Sequence, residues 1–168
     1  YVTWAEAQKI AGLTEAELVD VKDVLLKADQ TITKAAGNAG LKNEDGKIEL
    51  AFDENRGLML VDVLGTLDEC RFTFNGVHVS KEVARQFYKQ TSWYSDLEQA
   101  KKEMETRGIQ DWKALCKSQP PKLDPKLKKI ISQMYMSVAN EMTGKRFFDS
   151  PALSKVIDDY KAFMGEKV

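Results

Sequence analysis

The spacing of apolar residues changes near residue 47, and this change restricts the fold of the 168-residue chain more than any other feature. Upstream, Thr14 and Glu17 form a capping box, and apolar residues then recur at helical spacing from Leu18 to Ile32. Downstream, the apolar residues in the segment 48–52 alternate as in a β-strand. The pattern predicts a helix that ends between residues 37 and 40, followed by β-structure.

A β-hairpin is predicted where the turn-rich segment 53–57 separates the strand at 47–52 from the apolar run 58–61. Because a two-stranded hairpin is marginally stable alone, we expect it to belong to a larger antiparallel sheet. After residue 76 the sequence is mostly helical. Helices are expected to start at Ser80, at a capping box at Ser95, at Asp124-Pro125 and at Ser150-Pro151. Helix ends are expected at Gly108 and Gly144.

These patterns predict an α+β fold of two parts. Residues 1–76 would form the C-terminal part of a ligand-binding α+β domain that contains the hairpin, and residues 77–168 would form a helical C-terminal region packed on it. The first residue is Tyr1, not methionine, which suggests that an upstream segment is missing.

The composition excludes several classes of partner. The chain has 25 basic and 26 acidic residues spread along its length, which argues against nucleic-acid binding and against a polybasic membrane anchor. No apolar run approaches the roughly 20 residues that cross a bilayer. Two distant cysteines, Cys70 and Cys116, indicate reduced thiols and a soluble cytoplasmic protein. The single histidine, His78, offers no metal site.

Charged residues in and beside the hairpin are the candidates for chemistry. A four-residue loop would pair Asp53 with Leu58 and would place Glu49 opposite Asp62. Two carboxylates about 5 Å apart on one face repel each other unless a cation lies between them, and magnesium bound also to phosphate oxygens is the natural cation. The alternative is a solvated sheet face on which Lys47 neutralises Glu49.

A second group of charges follows the hairpin. Arg71 could bind a carboxylate or phosphate through a bidentate fork, or it could form a structural ion pair with Asp68 or Glu69. The residues alone leave these two interpretations equally open.

Two motifs, in the same order, resemble the SAICAR synthetase family. The segments DGKIELAF (45–52) and TLDECRF (66–72), with Asp62 between them, are similar to that family's D-x-K-x-E-F-G, V-D-E and T-P-D-S-S-R-F pattern. Nearer the C-terminus, PPKL (120–123) and EMTGKRF (141–147), with Tyr135 between them, resemble its P-P-x-L and E-x-x-T-G-x-x-F segments. The match is to the C-terminal two thirds of the family's sequence.

The resemblance implies an ATP-dependent ligase of purine biosynthesis that joins L-aspartate to carboxyaminoimidazole ribonucleotide. The ATP and magnesium cofactors would be bound by Lys47, Glu49 and Asp62, with Glu49 and Asp62 as the metal ligands. Asp45, Asp68 and Arg71 would bind the ribonucleotide. The implied catalytic residues are Lys47, Asp68 and Arg71.

The family pattern is not matched everywhere. Ala51 replaces its glycine, Leu67 its proline, and Glu69 and Cys70 its two small polar residues. An alternative to the enzyme is therefore a non-catalytic relative that binds a nucleotide or a protein on the same scaffold. The sequence also lacks the family's N-terminal region with its nucleotide-covering loop, so an upstream segment or companion chain is expected to complete the site.

Overall fold

The structure is a computed structural model that describes residues 2–165. It divides into two compact units, the first ending at Asn75 and the second beginning at Gly76. The predicted α+β class is confirmed, because helices accompany antiparallel strands. The elements of the first unit are α1 (Trp4–Ala11), α2 (Glu15–Asn38), β1 (Leu41–Gly46), β2 (Glu49–Phe52), β3 (Leu58–Val61) and β4 (Cys70–Phe74). Those of the second are β5 (Val77–His78), α3 (Glu82–Lys89), α4 (Ser92–Arg107), α5 (Pro125–Thr143) and α6 (Leu153–Gly165).

Helix α2 confirms the helix that the capping box predicted. Thr14 Oγ1 accepts a hydrogen bond from Glu17 N at 3.2 Å, and the Glu17 carboxylate accepts one from Thr14 N at 2.8 Å. The helix ends at Asn38, within the predicted range. Thr3 and Glu6 form the same box at the start of α1, an element that was not predicted. The buried residues of α2 are Leu18, Ala28, Ile32 and Ala36.

Strand β1 was also not predicted, because its sequence LKNEDG is polar and glycine-containing. It pairs antiparallel with β4 from Leu41 opposite Phe74 to Gly46 opposite Cys70, with an irregularity between Asn43 and Asp45. Burial of Leu41, Cys70 and Phe72 stabilises this pair, since all three side chains are at most 5% exposed.

The predicted hairpin is present as β2 and β3, and it forms a two-stranded sheet of its own within the described residues. Its loop is held by the Asp53 carboxylate, which accepts hydrogen bonds from Asn55 N at 2.9 Å and Gly57 N at 2.6 Å. Arg56 joins this loop to the start of α2, because its Nη2 lies 2.6 Å from Glu17 Oε1.

In the second unit, the predicted helix stops at Gly108 and Gly144 are confirmed, and both glycines have left-handed backbone. The Asp124 cap before Pro125 is confirmed, since its carboxylate accepts a hydrogen bond from Lys126 N at 2.8 Å. The capping box at Ser95 is wrong, because α4 begins three residues earlier, at Ser92. No helix in residues 2–165 is both long and apolar enough to span a membrane.

The loop before α6 explains part of the C-terminal motif. Glu141 Oε1 accepts a hydrogen bond from Leu153 N at 2.7 Å, so a side chain of α5 caps α6. Asn140 accepts hydrogen bonds from Phe147 N and Phe148 N at 2.8 and 3.1 Å. These contacts give Asn140 and Glu141 a structural role within the second unit.

Candidate functional site

The pairing of β1 with β4 brings the two charged motifs of the first unit together. Asp45 lies opposite Arg71, and Gly46 lies opposite Cys70. One residue further, Lys47 N donates a hydrogen bond to Glu69 O at 2.9 Å. The segments 45–49 and 68–71 therefore form one charged surface, although about twenty residues separate them in sequence.

Asp45 and Arg71 form a bidentate ion pair on this surface. Arg71 Nε donates to Asp45 Oδ1 at 2.6 Å, and Arg71 Nη2 bonds Asp45 Oδ2. The hydrogen bonds from Arg71 hold the pKa of the Asp45 carboxyl below its ordinary value. The sequence had suggested Asp68 or Glu69 as ion-pair partners of Arg71 and had not suggested Asp45.

Lys47 lies between two carboxylates. Its Nζ is 2.5 Å from Glu49 Oε1 and 3.2 Å from Glu69 Oε2. The hydrogen bond to Glu49, and then the one to Glu69, raise the pKa of Lys47. The contact of Lys47 with Glu49 is the one expected in the alternative interpretation, a solvated sheet face. Glu69 is the most buried of the three side chains, at 17% exposed.

Gly46 leaves room for the Cys70 side chain at the centre of the surface. A Cβ atom at this position would lie 2.7 Å from Cys70 Sγ. Cys70 is buried, and that burial, followed by the nearby charges of Glu69 and Asp45, raises the pKa of its thiol. Cys70 is therefore a packing residue rather than a nucleophile. Both Cys70 and Cys116 are free thiols, as predicted.

The predicted pairing of Glu49 with Asp62 is wrong. The loop has five residues because Phe52, not Asp53, pairs with Leu58, and Glu49 consequently lies opposite Val61. Asp62 follows the end of β3 with a left-handed backbone, at φ 69°. Its carboxylate accepts a hydrogen bond from the next amide, Val63 N, at 2.8 Å. A slip of one residue reverses the faces of a strand, so the register does not support a shared metal site.

The side chains of this surface could bind magnesium only if a further ligand completed its coordination shell. No group of three or more acidic, histidine or cysteine side chains in the described part of the chain could hold a metal ion. Magnesium in phosphate-binding sites uses one or two carboxylates, with phosphate oxygens and water completing its shell. Because the register does not bring Glu49 and Asp62 to one ion, their role as ligands of a nucleotide-bound magnesium stays a prediction.

Asp68 lies in the turn that leads into β4. Cys70 N donates to Thr66 O at 2.9 Å across this turn, and the Asp68 side chain is exposed. Of the predicted site residues, the contacts described above join Asp45 to Arg71 and Lys47 to Glu49. They do not join Asp62 to either pair.

Sequence reasoning missed Glu69 as a partner of Lys47. It treated Glu69 only as a departure from the family pattern or as a partner of Arg71. The available signal was that Glu69 lies two positions before Arg71, directly before Cys70, which begins β4. This spacing places Glu69 beside the strand that carries Arg71, but it does not identify Lys47 as a partner. Without β1 there was no strand to bring Lys47 to this position.

Comparisons with known proteins agree with the motif resemblance. The SAICAR synthetase family model matches residues 2–107. A solved structure described as type-2 SAICAR synthetase in complex with ADP aligns with a TM-score of 0.47 and 22% identity, over 73% of this chain and 46% of the other.

Two archaeal relatives extend the similarity over most of the chain. An Archaeoglobus fulgidus protein provisionally named phosphoribosylaminoimidazole-succinocarboxamide synthase is 42% identical over 161 residues, which are 96% of this chain and 46% of the relative. The phosphoribosylaminoimidazole-succinocarboxamide synthase of Thermoplasma acidophilum is 30% identical over 149 residues, 84% of this chain and 47% of the relative. The chain thus spans about half the length of these relatives. By its family model and its 42% identity to the Archaeoglobus protein, the chain belongs to the SAICAR synthetase family.

Proposed function

We propose that this chain forms part of a cytoplasmic ATP-dependent ligase that joins L-aspartate to carboxyaminoimidazole ribonucleotide and releases ADP and phosphate. Membership of the SAICAR synthetase family and the names of its relatives support the reaction. The observation that carries the proposal is the β1–β4 register, which unites the two charged motifs on one surface. Free thiols in the described residues are consistent with a reducing cytoplasm.

In this proposal the γ-phosphoryl group of ATP moves to an oxygen of the substrate carboxylate and forms an acyl phosphate. The amine of aspartate then attacks the carbonyl carbon, and phosphate leaves as the amide forms. Lys47 would bind phosphate oxygens, while Glu49 and Asp62 would hold magnesium. The ion would neutralise charge on the transferring phosphoryl group.

Arg71 is the proposed group for the anionic substrate, because its guanidinium is charged and its side chain is 51% exposed. Asp45 engages its Nε and Nη2. Asp45 then orients Arg71, and Asp68 supplies a further polar contact from the adjoining turn.

The proposed enzyme requires an upstream segment, covalent or separate. A two-stranded hairpin needs further strands or a packed layer for stability. Four apolar residues on and after β3 have side chains that are 41–54% exposed. These residues are Met59, Leu60, Val63 and Leu64. A segment that covers them would complete both the sheet and the site.

An activity assay in which the unmatched part of a relative is added tests the proposal. The chain would be mixed with, or fused to, the unmatched part of the Archaeoglobus fulgidus relative, and ATP-dependent coupling of aspartate to carboxyaminoimidazole ribonucleotide would be measured. We expect activity only with both parts, and at least a tenfold loss for Lys47→Ala, since a charged hydrogen bond in a site is worth more than about 1.4 kcal/mol. Nucleotide binding without product formation by the restored protein would contradict the ligase.

The same assay separates the ligase from a non-catalytic binding module. The specific observation in favour of such a module is that Glu69 places a carboxylate 3.2 Å from the proposed phosphate-binding Lys47. If the restored protein binds Mg-ATP but forms neither ADP nor product, the binding module is the correct assignment.

A further inference from the structure

Glu69 contacts Lys47 through both its backbone and its side chain. The Glu69 carbonyl oxygen accepts a hydrogen bond from Lys47 N at 2.9 Å, and its carboxylate lies 3.2 Å from Lys47 Nζ. Glu69 therefore contacts both ends of the lysine, while Glu49 contacts only its ammonium, at 2.5 Å. The remainder of the lysine is a flexible four-carbon stem, which is otherwise free to move.

Glu69 is better placed than Glu49 to hold Lys47 when ligands bind. The Glu49 side chain is 48% exposed, whereas that of Glu69 is 17% exposed. Glu49 is also a proposed magnesium ligand, and a carboxylate engaged by magnesium cannot bind the lysine as strongly. Glu69 then remains as the carboxylate that orients Lys47.

We propose that Glu69 is a positioning residue that holds the Lys47 ammonium in place for a phosphate oxygen. An ammonium has three N–H donors, and Glu49 and Glu69 occupy two of them in this structure. The third donor can bind the anion, because the Lys47 side chain is 56% exposed. The identity of the anion as a nucleotide phosphate rests on the proposed function. The restraint of Lys47 by Glu69 does not depend on that function, because it is argued from the contacts between the two residues.

The restraint is tested by NMR relaxation of the lysine ammonium groups in the 168-residue chain, compared between the native protein and Glu69→Gln and Glu69→Asp variants. The matched control is Glu98→Gln, which removes the 3.1 Å partner of Lys101 on α4. We expect the order parameter of Lys47 to fall in Glu69→Gln, to recover partly in Glu69→Asp and to be unchanged in Glu98→Gln. Unfolding temperatures measured in parallel show that each variant is folded.

An unchanged Lys47 order parameter in a folded Glu69→Gln variant would overturn the positioning role. Failure of that variant to fold would leave Glu69→Asp as the decisive protein, since the shorter side chain retains the charge but should increase the motion of Lys47. Equal motion in Glu69→Asp and the native chain, with Glu69→Gln unfolded, would assign Glu69 a structural role and would also overturn the proposal.

Ligand binding separates this proposal from the proposed function. Mg-ADP is titrated into the chain complemented with the upstream half, in the native and Lys47→Ala backgrounds. We expect Glu69→Gln to weaken binding about three- to tenfold in the native background and to have no further effect without Lys47. Equal weakening in both backgrounds would show that Glu69 does not act through Lys47. Unchanged affinity in Lys47→Ala itself would instead refute the nucleotide role of Lys47.

Discussion

Position 46 accommodates glycine but no larger residue without rearrangement of its neighbours. A methyl group there would lie 2.7 Å from Cys70 Sγ, at the point where β1 and β4 join the two motifs. We predict that Gly46→Ala lowers the free energy of unfolding by about 1–3 kcal/mol, the usual cost of overpacking. Chemical denaturation measures this change.

Two further variants show whether the contact with Cys70 is the cause. Adding Cys70→Ala should recover part of the loss, since it removes the sulfur that the new methyl group meets. Gly37→Ala is the control, because no atom lies within 4 Å of a Cβ at that helical position. It should raise stability by up to about 1 kcal/mol. A Gly46→Ala protein as stable as the native chain would contradict the predicted close approach.

The Asp45–Arg71 ion pair gives a pH-dependent contribution to stability. Because the folded-state pKa of Asp45 lies below its unfolded value of about 3.9, the contribution is present above about pH 4 and is lost as the pH falls through the folded-state pKa. We predict that Arg71→Gln raises the pKa of Asp45 towards its ordinary value, as followed by the carboxyl carbon resonance. The stability difference between the variant and the native chain should then shrink on acidification. A difference that is constant from pH 7 to pH 2 would exclude this pair as its source.

Glu49 and Asp62 remain the predicted magnesium ligands of the complete enzyme, although they are not paired across the hairpin. Glu49→Gln or Asp62→Asn should raise the magnesium-ATP concentration needed for half-maximal activity at least tenfold, because each change removes a charge but little volume. Steady-state kinetics and thermal unfolding measure the two effects. The exposed loop residue Glu54, changed to Gln, is the control. If both site variants are fully active and slightly more stable, the carboxylates only repel each other.

Among the elements, α6 depends on a residue of another helix for its first turn. Glu141 of α5 accepts the hydrogen bond of Leu153 N and places a negative charge at the positive end of α6. We predict that Glu141→Ala costs about 1 kcal/mol in unfolding free energy, as loss of a helix cap does. Glu98→Ala, which removes an exposed ion pair on α4, should change stability by less than about 0.5 kcal/mol. An equal effect of the two substitutions would show that Glu141 is not a cap.

The elements that could be predicted from the sequence have local causes. The side chains of Thr14 and Glu17 cap α2 by bonding each other's backbone amides. Asp124 caps α5 with its side chain, and Gly108 and Gly144 end helices with left-handed backbone. Strand β1 has no such signal. Its polar residues become a strand only because β4 supplies a partner and because Gly46 permits close approach.

The candidate site was predictable in its residue types but not in its pairing. Lys47 and Glu49 are two residues apart, so their contact followed from the strand period. The register of the hairpin depends on whether Asp53 belongs to the strand or to the loop. Asp53 belongs to the loop, where its carboxylate accepts hydrogen bonds from Asn55 N and Gly57 N. The pairing of Asp45 with Arg71 spans 26 positions and required the unpredicted β1.

For the molecule as a whole, the main question is whether this chain contains a complete site. It spans about half the length of its relatives, and the hairpin within it forms a two-stranded sheet with exposed apolar residues. The carboxylates that would hold magnesium are present, as are Lys47 and Arg71. In the first unit each of these two cations already contacts a carboxylate. We therefore expect that additional cationic groups are needed to bind a triphosphate.

Isothermal titration of Mg-ATP into the chain, with and without the upstream half of a family member, tests this account most directly. The account predicts weak or undetectable binding by the 168 residues alone and micromolar affinity after the upstream half is added. Micromolar affinity of the isolated chain would contradict it, because the nucleotide site would then be complete without any further segment.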